Sequence, residues 1–255
     1  MIRIQRETVA DKGAAILRDR ILSGILRPGT AVIEDAVAEN LGISRATVRQ
    51  TLNTLMLEGL LTRHPATRVL QVTTLSSEEV RDIYRARRFL ELGGVDAAAR
   101  ASTAELARIT RAVEDLEKAV IDNDIAAFVQ ADFRCHATVV ALLGSHHLST
   151  THTHLMAKLR LAIIQETASE QDNEEHLASG AGRRALAVHK EFVRLLVSGK
   201  ITQARANLAA RLDQAEEDVA SSASAPLGRA RKRDGPVQPL PDALAQHVKG
   251  EGALS

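Results

Sequence analysis

From Ala66 to Ala225 the chain contains no proline, although six occur in the whole sequence, at Pro28, Pro65, Pro226, Pro236, Pro239 and Pro241. Proline removes a backbone donor and clashes with the preceding helical turn, so it breaks helices. An uninterrupted interval of this length, rich in Ala, Leu, Glu and Arg, is predicted to fold as helices packed on one another. Two S-x-x-E sequences within it, Ser76 with Glu79 and Ser102 with Glu105, mark helix starts, because each pair satisfies two backbone N–H groups that the first turn leaves free. The predicted helices occupy residues 77–101, 103–121, 124–143, 147–170, 183–198 and 201–221, with Gly144, Gly180, Gly182 and Gly199 near the breaks. Beyond Ser221 the sequence turns to small residues, proline and charge without an apolar stripe, so residues 222–255 are expected to form a disordered tail whose "RARKR" cluster is solvated.

Ahead of this interval the pattern is more broken. "DKGAAILRDRILSGI" reads as an amphipathic helix with Leu17, Ile21 and Leu22 on its apolar face, ended by the turn residues "RPGT". A short helix from Ile33 to Asn40, a turn at Gly42 and a helix opening at Ser44 follow. In that last helix Val48, Leu52 and Leu55 stand at i, i+4 and i+7, the spacing that buries one side. Arg45 and Arg49 share the opposite face, with Thr47 near their edge. Two β-prone runs, Leu60–Arg63 and Thr67–Thr73, flank the turn residues His64 and Pro65. The fold class is therefore mainly α: an N-terminal winged helix-turn-helix over residues 1–73, followed by an all-helical antiparallel bundle over 74–221.

Charge divides along the same line. Residues 1–73 carry 10 Lys/Arg against 7 Asp/Glu, and residues 74–220 carry 18 against 22, so a mildly basic unit precedes a mildly acidic body, which permits nucleic-acid binding by the first without requiring it. Ser44 as N-cap leaves helix N–H groups where a phosphate binds. Arg45 and Arg49 then reach guanine edges or phosphates in the major groove, and Thr47 reaches a base edge or thymine methyl. Because one short recognition helix reads few bases, a homodimer on a near-palindromic double-stranded operator is expected. A single cysteine, Cys135, excludes an internal disulfide framework and is expected in the core. With no apolar run suited to a signal peptide or a membrane span, the expected location is cytoplasmic.

Asp132 and His136, in "DFRCH", stand at i and i+4, which lets both grip one cation. His146, His147, His152 and His154 wrap around a helix start rather than share a face and are expected to be solvated, since ligands need convergent geometry. No G-x-S-x-G, P-loop or paired-carboxylate signature is present. The alternative to a regulator is a metal-dependent hydrolase or lyase with an accessory DNA-binding module, against which stands the lack of a general base near Asp132 and His136.

The stretch "ILSGILRPGTAVIEDAVAENLGISRATVRQTLNTLMLEGLL" resembles the DNA-binding domain of GntR-superfamily regulators, with Gly24, Pro28, Gly29, Glu34, Gly42, Ser44, Arg45, Val48, Arg49, Glu58 and Gly59 among the matching positions. Thr47 replaces the family's common proline, Gln50 its common glutamate, and the wing "RHPATRVL" lacks the usual tip glycine. "SSEEVRDIYRARRFLELGGVDAAAR" is similar to the start of the FCD effector domain of the FadR branch, with Arg87 and Glu91 at its recurring basic and acidic positions. The likeness spans about residues 10–220. It implies a ligand-responsive bacterial-type regulator whose DNA binding is modulated by a small carboxylate held in the helical domain. In that family a D-x-x-x-H pair joins two later histidines around a divalent metal that presents an organic acid. The resemblance thus assigns Asp132, His136 and His189 as ligands and puts Arg211, which cannot coordinate a metal, at the fourth position. Either a Zn-type ion sits on those three residues with water or an effector carboxylate completing its shell, or the site is metal-free and Arg211 pairs with Asp132 or forks onto the effector. A bundle with merely scattered polar residues is the third option. On this basis the effector-binding residues are Arg87, Asp132, His136, His189 and Arg211.

Overall fold

The computed structural model describes residues 7–166 and 181–223 and divides into two compact units between Thr73 and Thr74. The expected disordered tail from residue 224 onward, Gly180 and the predicted helix end at 167–170 lie outside the described residues.

The first unit comprises α1 (Val9–Leu22), α2 (Glu34–Leu41), α3 (Arg45–Leu57), β1 (Leu61–Arg63) and β2 (Leu70–Val72). A capping box not anticipated from the sequence starts α1: the Asp11 N–H donates to Thr8 Oγ1 at 3.1 Å and the Thr8 N–H to the Asp11 carboxylate at 3.0 Å. α1 packs on α3, burying Ala14, Leu17 and Ile21 on one side and Val48, Leu52 and Leu55 on the other. The buried Thr51 hydroxyl donates to the Ala10 carbonyl at 3.1 Å. The guanidinium of Arg18 forks onto the Glu58 carboxylate at 2.8 and 2.5 Å, tying α1 to the end of α3.

The hairpin is narrower than the predicted runs. Its antiparallel register pairs Leu61 with Val72, Thr62 with Gln71 and Arg63 with Leu70, and Ala31 bridges to Gln71. Residues 64–69 form a wide tip instead of a two-residue turn. His64 Nδ1 accepts the N–H groups of Ala66 and Thr67 at 3.2 Å each, and Arg68 takes the left-handed conformation at φ 60°. With no glycine at the tip, a residue with a side chain must make the left-handed step, and pairing resumes only at Leu70.

The second unit is helical: α4 (Ser77–Ala97), a 3-10 turn (Ala98–Arg100), α5 (Thr103–Ile121), α6 (Ile125–Ala141), α7 (His146–Glu166), α8 (Ala181–Val197) and α9 (Ile201–Ala223). Both predicted capping boxes form, at Ser76 with Glu79 and at Ser102 with Glu105. Gly144 and Gly199 adopt φ 66° and 73°, the left-handed conformation that ends a helix. Gly182 lies inside the first turn of α8 rather than at a break, and α9 runs two residues past the predicted Ser221. No helix among the described residues is long and apolar enough to cross a membrane.

α4 packs against α6, α7 and α9, and α5 against α6 and α8. The α4–α6 crossing depends on Gly94. A Cβ there would stand 2.3 Å from the Val139 carbonyl oxygen and 2.8 Å from its carbon, and backbone cannot swing aside as a side chain can. Gly94 lies one turn beyond Glu91 on α4, and Val139 one turn beyond His136 on α6, so this close approach also brings those two polar side chains together. Gly94→Ala should therefore destabilise the bundle by about 1–3 kcal/mol or more, the cost of overpacking a rigid contact. Urea unfolding followed by circular dichroism checks it, and an unchanged midpoint would show that the helices can separate cheaply.

Candidate functional site

In the first unit, the α2–α3 corner turns at Gly42, which is left-handed at φ 62°, and Ser44 Oγ accepts the Thr47 N–H at 3.2 Å to cap α3. With Val48, Leu52 and Leu55 buried, Arg45 and Arg49 stand out at 69% and 67% side-chain exposure. Arg45 Nε lies 3.1 Å from Asp35 and Arg49 Nε 3.0 Å from Glu34, both in the first turn of α2. Exposed pairs of this kind contribute at most about 1 kcal/mol, so phosphates or base edges can take over both guanidiniums. Thr47 is held to Ser44 by a 2.9 Å hydroxyl contact, which fixes its orientation at the helix start.

In the second unit, the polar core centres on two carboxylates. Glu91 is fully buried on α4 and accepts from Arg87 Nε at 2.7 Å, from His136 Nδ1 at 2.5 Å and from His152 Nε2 at 3.1 Å. Burial alone would raise its carboxyl; Arg87 and the two histidine hydrogen bonds outweigh this and hold it well below the usual range. The Arg87 guanidinium, itself buried, lies 4.8 Å above the Tyr84 ring.

Asp132 on α6 is the second centre. Its Oδ1 lies 2.7 Å from Arg211 Nη2 on α9 and 2.9 Å from His189 Nε2 on α8, and its Oδ2 is 4.0 Å from His136 Nε2. Burial raises this carboxyl too, and again loses to its partners, Arg211 first, so Asp132 stays ionised. Asp132, His136 and His189 each offer one ligand atom, and these atoms lie within 4.8 Å of one another.

The histidine tautomers fit a metal. His189 Nδ1 lies 2.8 Å from the Ala185 carbonyl, which can only accept, so the ring proton is there and the Nε2 lone pair is left over. His136 donates through Nδ1 to Glu91, leaving its own Nε2 lone pair. Both Nε2 atoms are buried without a well-aligned hydrogen bond, His189 Nε2 despite its closeness to Asp132. Two lone pairs and a carboxylate converging on one point, with each ring oriented from behind, is the donor set a divalent cation takes.

Of the residues predicted from sequence, Asp132, His136, His189 and Arg211 come together, and Arg87 joins them through Glu91. His152 overturns its expectation: it is fully buried and bonded to Glu91, whereas His146, His147 and His154 are exposed. The available signal was periodic, since His152 shares a stripe with Met156 and Leu159, both buried. Cys135 is buried as expected, its thiol pushed up to about 12 by burial.

Burial pushes His136 down to about 4 against the pull of Glu91, so it is neutral at pH 7. The unfolded chain takes up that proton near the ordinary 6.5, so His136 contributes fully above that pH and its contribution is lost as pH falls toward 4. Glu91 and Asp132, both held low when folded, then lose theirs at still lower pH. Unfolding free energy should drop by about 3 kcal/mol between pH 7 and pH 4 from His136 alone. Urea titrations of chelator-treated, metal-free protein across this range test it, and a flat profile would place a charged imidazole in the native core.

Comparison with known proteins covers both units. Residues 82–214 match the FCD domain, more than half of the chain, and residues 10–69 match bacterial regulatory proteins of the gntR family. An uncharacterized HTH-type transcriptional regulator from the TAR-I ttuE-ttuC' intergenic region of Agrobacterium vitis is 30% identical over 131 residues, covering 49% of this chain and 75% of that protein. The gluconate operon transcriptional repressor of Bacillus licheniformis is 25% identical over 146 residues, 57% of this chain and 59% of the repressor. Among solved structures, a protein of Rhodococcus sp. RHA1 assigned as a GntR transcriptional regulator superposes with a TM-score of 0.71 at 22% identity, covering 83% of this chain and 97% of that one. E. coli McbR/YncC gives 0.66 at 20% identity, covering 84% and 98%. At these identities the two structures bear on fold alone.

Proposed function

The chain is a GntR-family transcriptional regulator with an FCD domain, not an enzyme, and from that premise we propose that it is a homodimer that reads a near-palindromic operator and responds to a small carboxylate. Ser44, Arg45, Thr47 and Arg49 contact the DNA, with Arg45 and Arg49 the exposed cationic pair of α3 facing away from its buried stripe. The effector occupies the polar core of the helical unit, and its binding shifts the population of DNA-competent dimers. The protein works in the compartment that holds the DNA.

Asp132, His136 and His189 hold one divalent, Zn-type ion, and the observation that carries this is the convergence on one carboxylate of two pre-oriented Nε2 atoms, neither of them in a well-aligned hydrogen bond. Such an ion supplies the positive charge that fixes a carboxylate effector. The name of the Bacillus relative points to a regulator of genes for gluconate, itself a small carboxylate, which supports the same ligand class. The test is elemental analysis of untagged protein purified in acetate buffer. Near-stoichiometric divalent metal is expected for the wild type and none for His136→Ala or His189→Ala, with all three equally folded. Metal-free wild type would remove the ion from this account.

A further inference from the structure

We propose that Arg211 makes metal and anion bind to this protein as a pair, each strengthening the other; the inference rests on the metal site assigned to Asp132, His136 and His189. The guanidinium donates to Asp132 Oδ1 through Nη2 at 2.7 Å. Its other N–H groups have no hydrogen bond among the described residues, and the side chain is 19% exposed, so one edge is committed to Asp132 and the rest is open to a ligand.

Charge balance decides what that means. Arg87 is matched by Glu91 at 2.7 Å and Arg211 by Asp132, so both carboxylates of the polar core already have a cation. A divalent ion on Asp132, His136 and His189 brings two further positive charges to a carboxylate that is shared with a guanidinium. His189 is fully buried and Asp132 only 20% exposed, so water screens this repulsion poorly. The bare ion is therefore disfavoured. A carboxylate offers one oxygen to the ion and the other to the open edge of Arg211, which halves the excess positive charge and uses the fork geometry of both groups. A neutral fourth donor in place of Arg211 creates no such requirement. By linkage, the factor by which the anion tightens the metal equals that by which the metal tightens the anion.

The experiment measures Zn2+ affinity by competition with a chromophoric chelator, with and without acetate, at ionic strength held by perchlorate. The proteins are full-length wild type, Arg211→Gln and Arg211→His, each checked for an unchanged circular dichroism spectrum. Acetate is expected to tighten Zn2+ on the wild type by at least about tenfold, and Arg211→Gln to bind Zn2+ more tightly than wild type without acetate and to lose most of the acetate effect. Equal Zn2+ affinities and equal acetate responses in wild type and Arg211→Gln would overturn the role of Arg211 while leaving the metal site standing. Zn2+ binding by Arg211→His but by wild type under neither condition would show that the guanidinium simply excludes the ion, overturning the coupling. No Zn2+ binding by any of the three would overturn the metal site itself.

Discussion

Glu91→Ala is expected to unfold the helical unit or bring it close to unfolding. The carboxylate is fully buried and serves three donors, Arg87, His136 and His152. Its removal leaves the Arg87 guanidinium, 4% exposed, without a counter-charge in a site that water cannot reach. Removing one partner of a buried ion pair costs about 3–5 kcal/mol, against a total stability of about 5–15 kcal/mol for a typical domain. Glu91→Gln keeps an acceptor but not the charge and should fall between wild type and alanine. Replacing both partners, as Arg87→Met with Glu91→Leu, should recover much of the loss, because the unpaired charge rather than the missing attraction carries the penalty. Chemical denaturation of the four proteins measures this. A Glu91→Ala cost under about 1 kcal/mol would mean that the guanidinium finds water or another partner.

Arg45→Ala and Arg49→Ala are each expected to weaken operator binding by about 1–3 kcal/mol, roughly fivefold to more than a hundredfold, while leaving the fold intact. Both side chains are about two-thirds exposed, and their pairs with Asp35 and Glu34 lie on the surface, so little stability depends on them. Fluorescence anisotropy on the operator, paired with thermal melts, separates a lost contact from a lost fold. Operator affinity unchanged in either variant would remove α3 from the recognition role.

What was legible in the sequence was local. The Gly42 turn, the Ser44 cap and the Val48, Leu52, Leu55 stripe define α3 within fourteen residues, from Gly42 to Leu55, and the Ser76 and Ser102 boxes need only their own first turns. Asp132 and His136 share one helical face for the same reason. Strand propensity overextends the wing because it does not reveal which residue makes the left-handed step, here Arg68. The burial of His152 is not legible locally, because its partner Glu91 lies 61 positions away, across helices joined only by tertiary packing. The pairing of Arg211 with Asp132 spans 79 positions, and residue types alone do not choose it over the other arrangements open to Arg211.

Acid-dependent operator binding is tested most directly by a footprint. The protein is incubated with DNA from upstream of its own gene, with Zn2+ present, and with and without each of a panel of small mono- and dicarboxylates. The predicted result is a protected near-palindromic segment with two half-sites about one helical turn apart, bound by wild type with an affinity that at least one acid changes and that the same acid leaves unaltered in His136→Ala. Absence of any protected segment, or a protected segment that no acid affects in wild type, would contradict it.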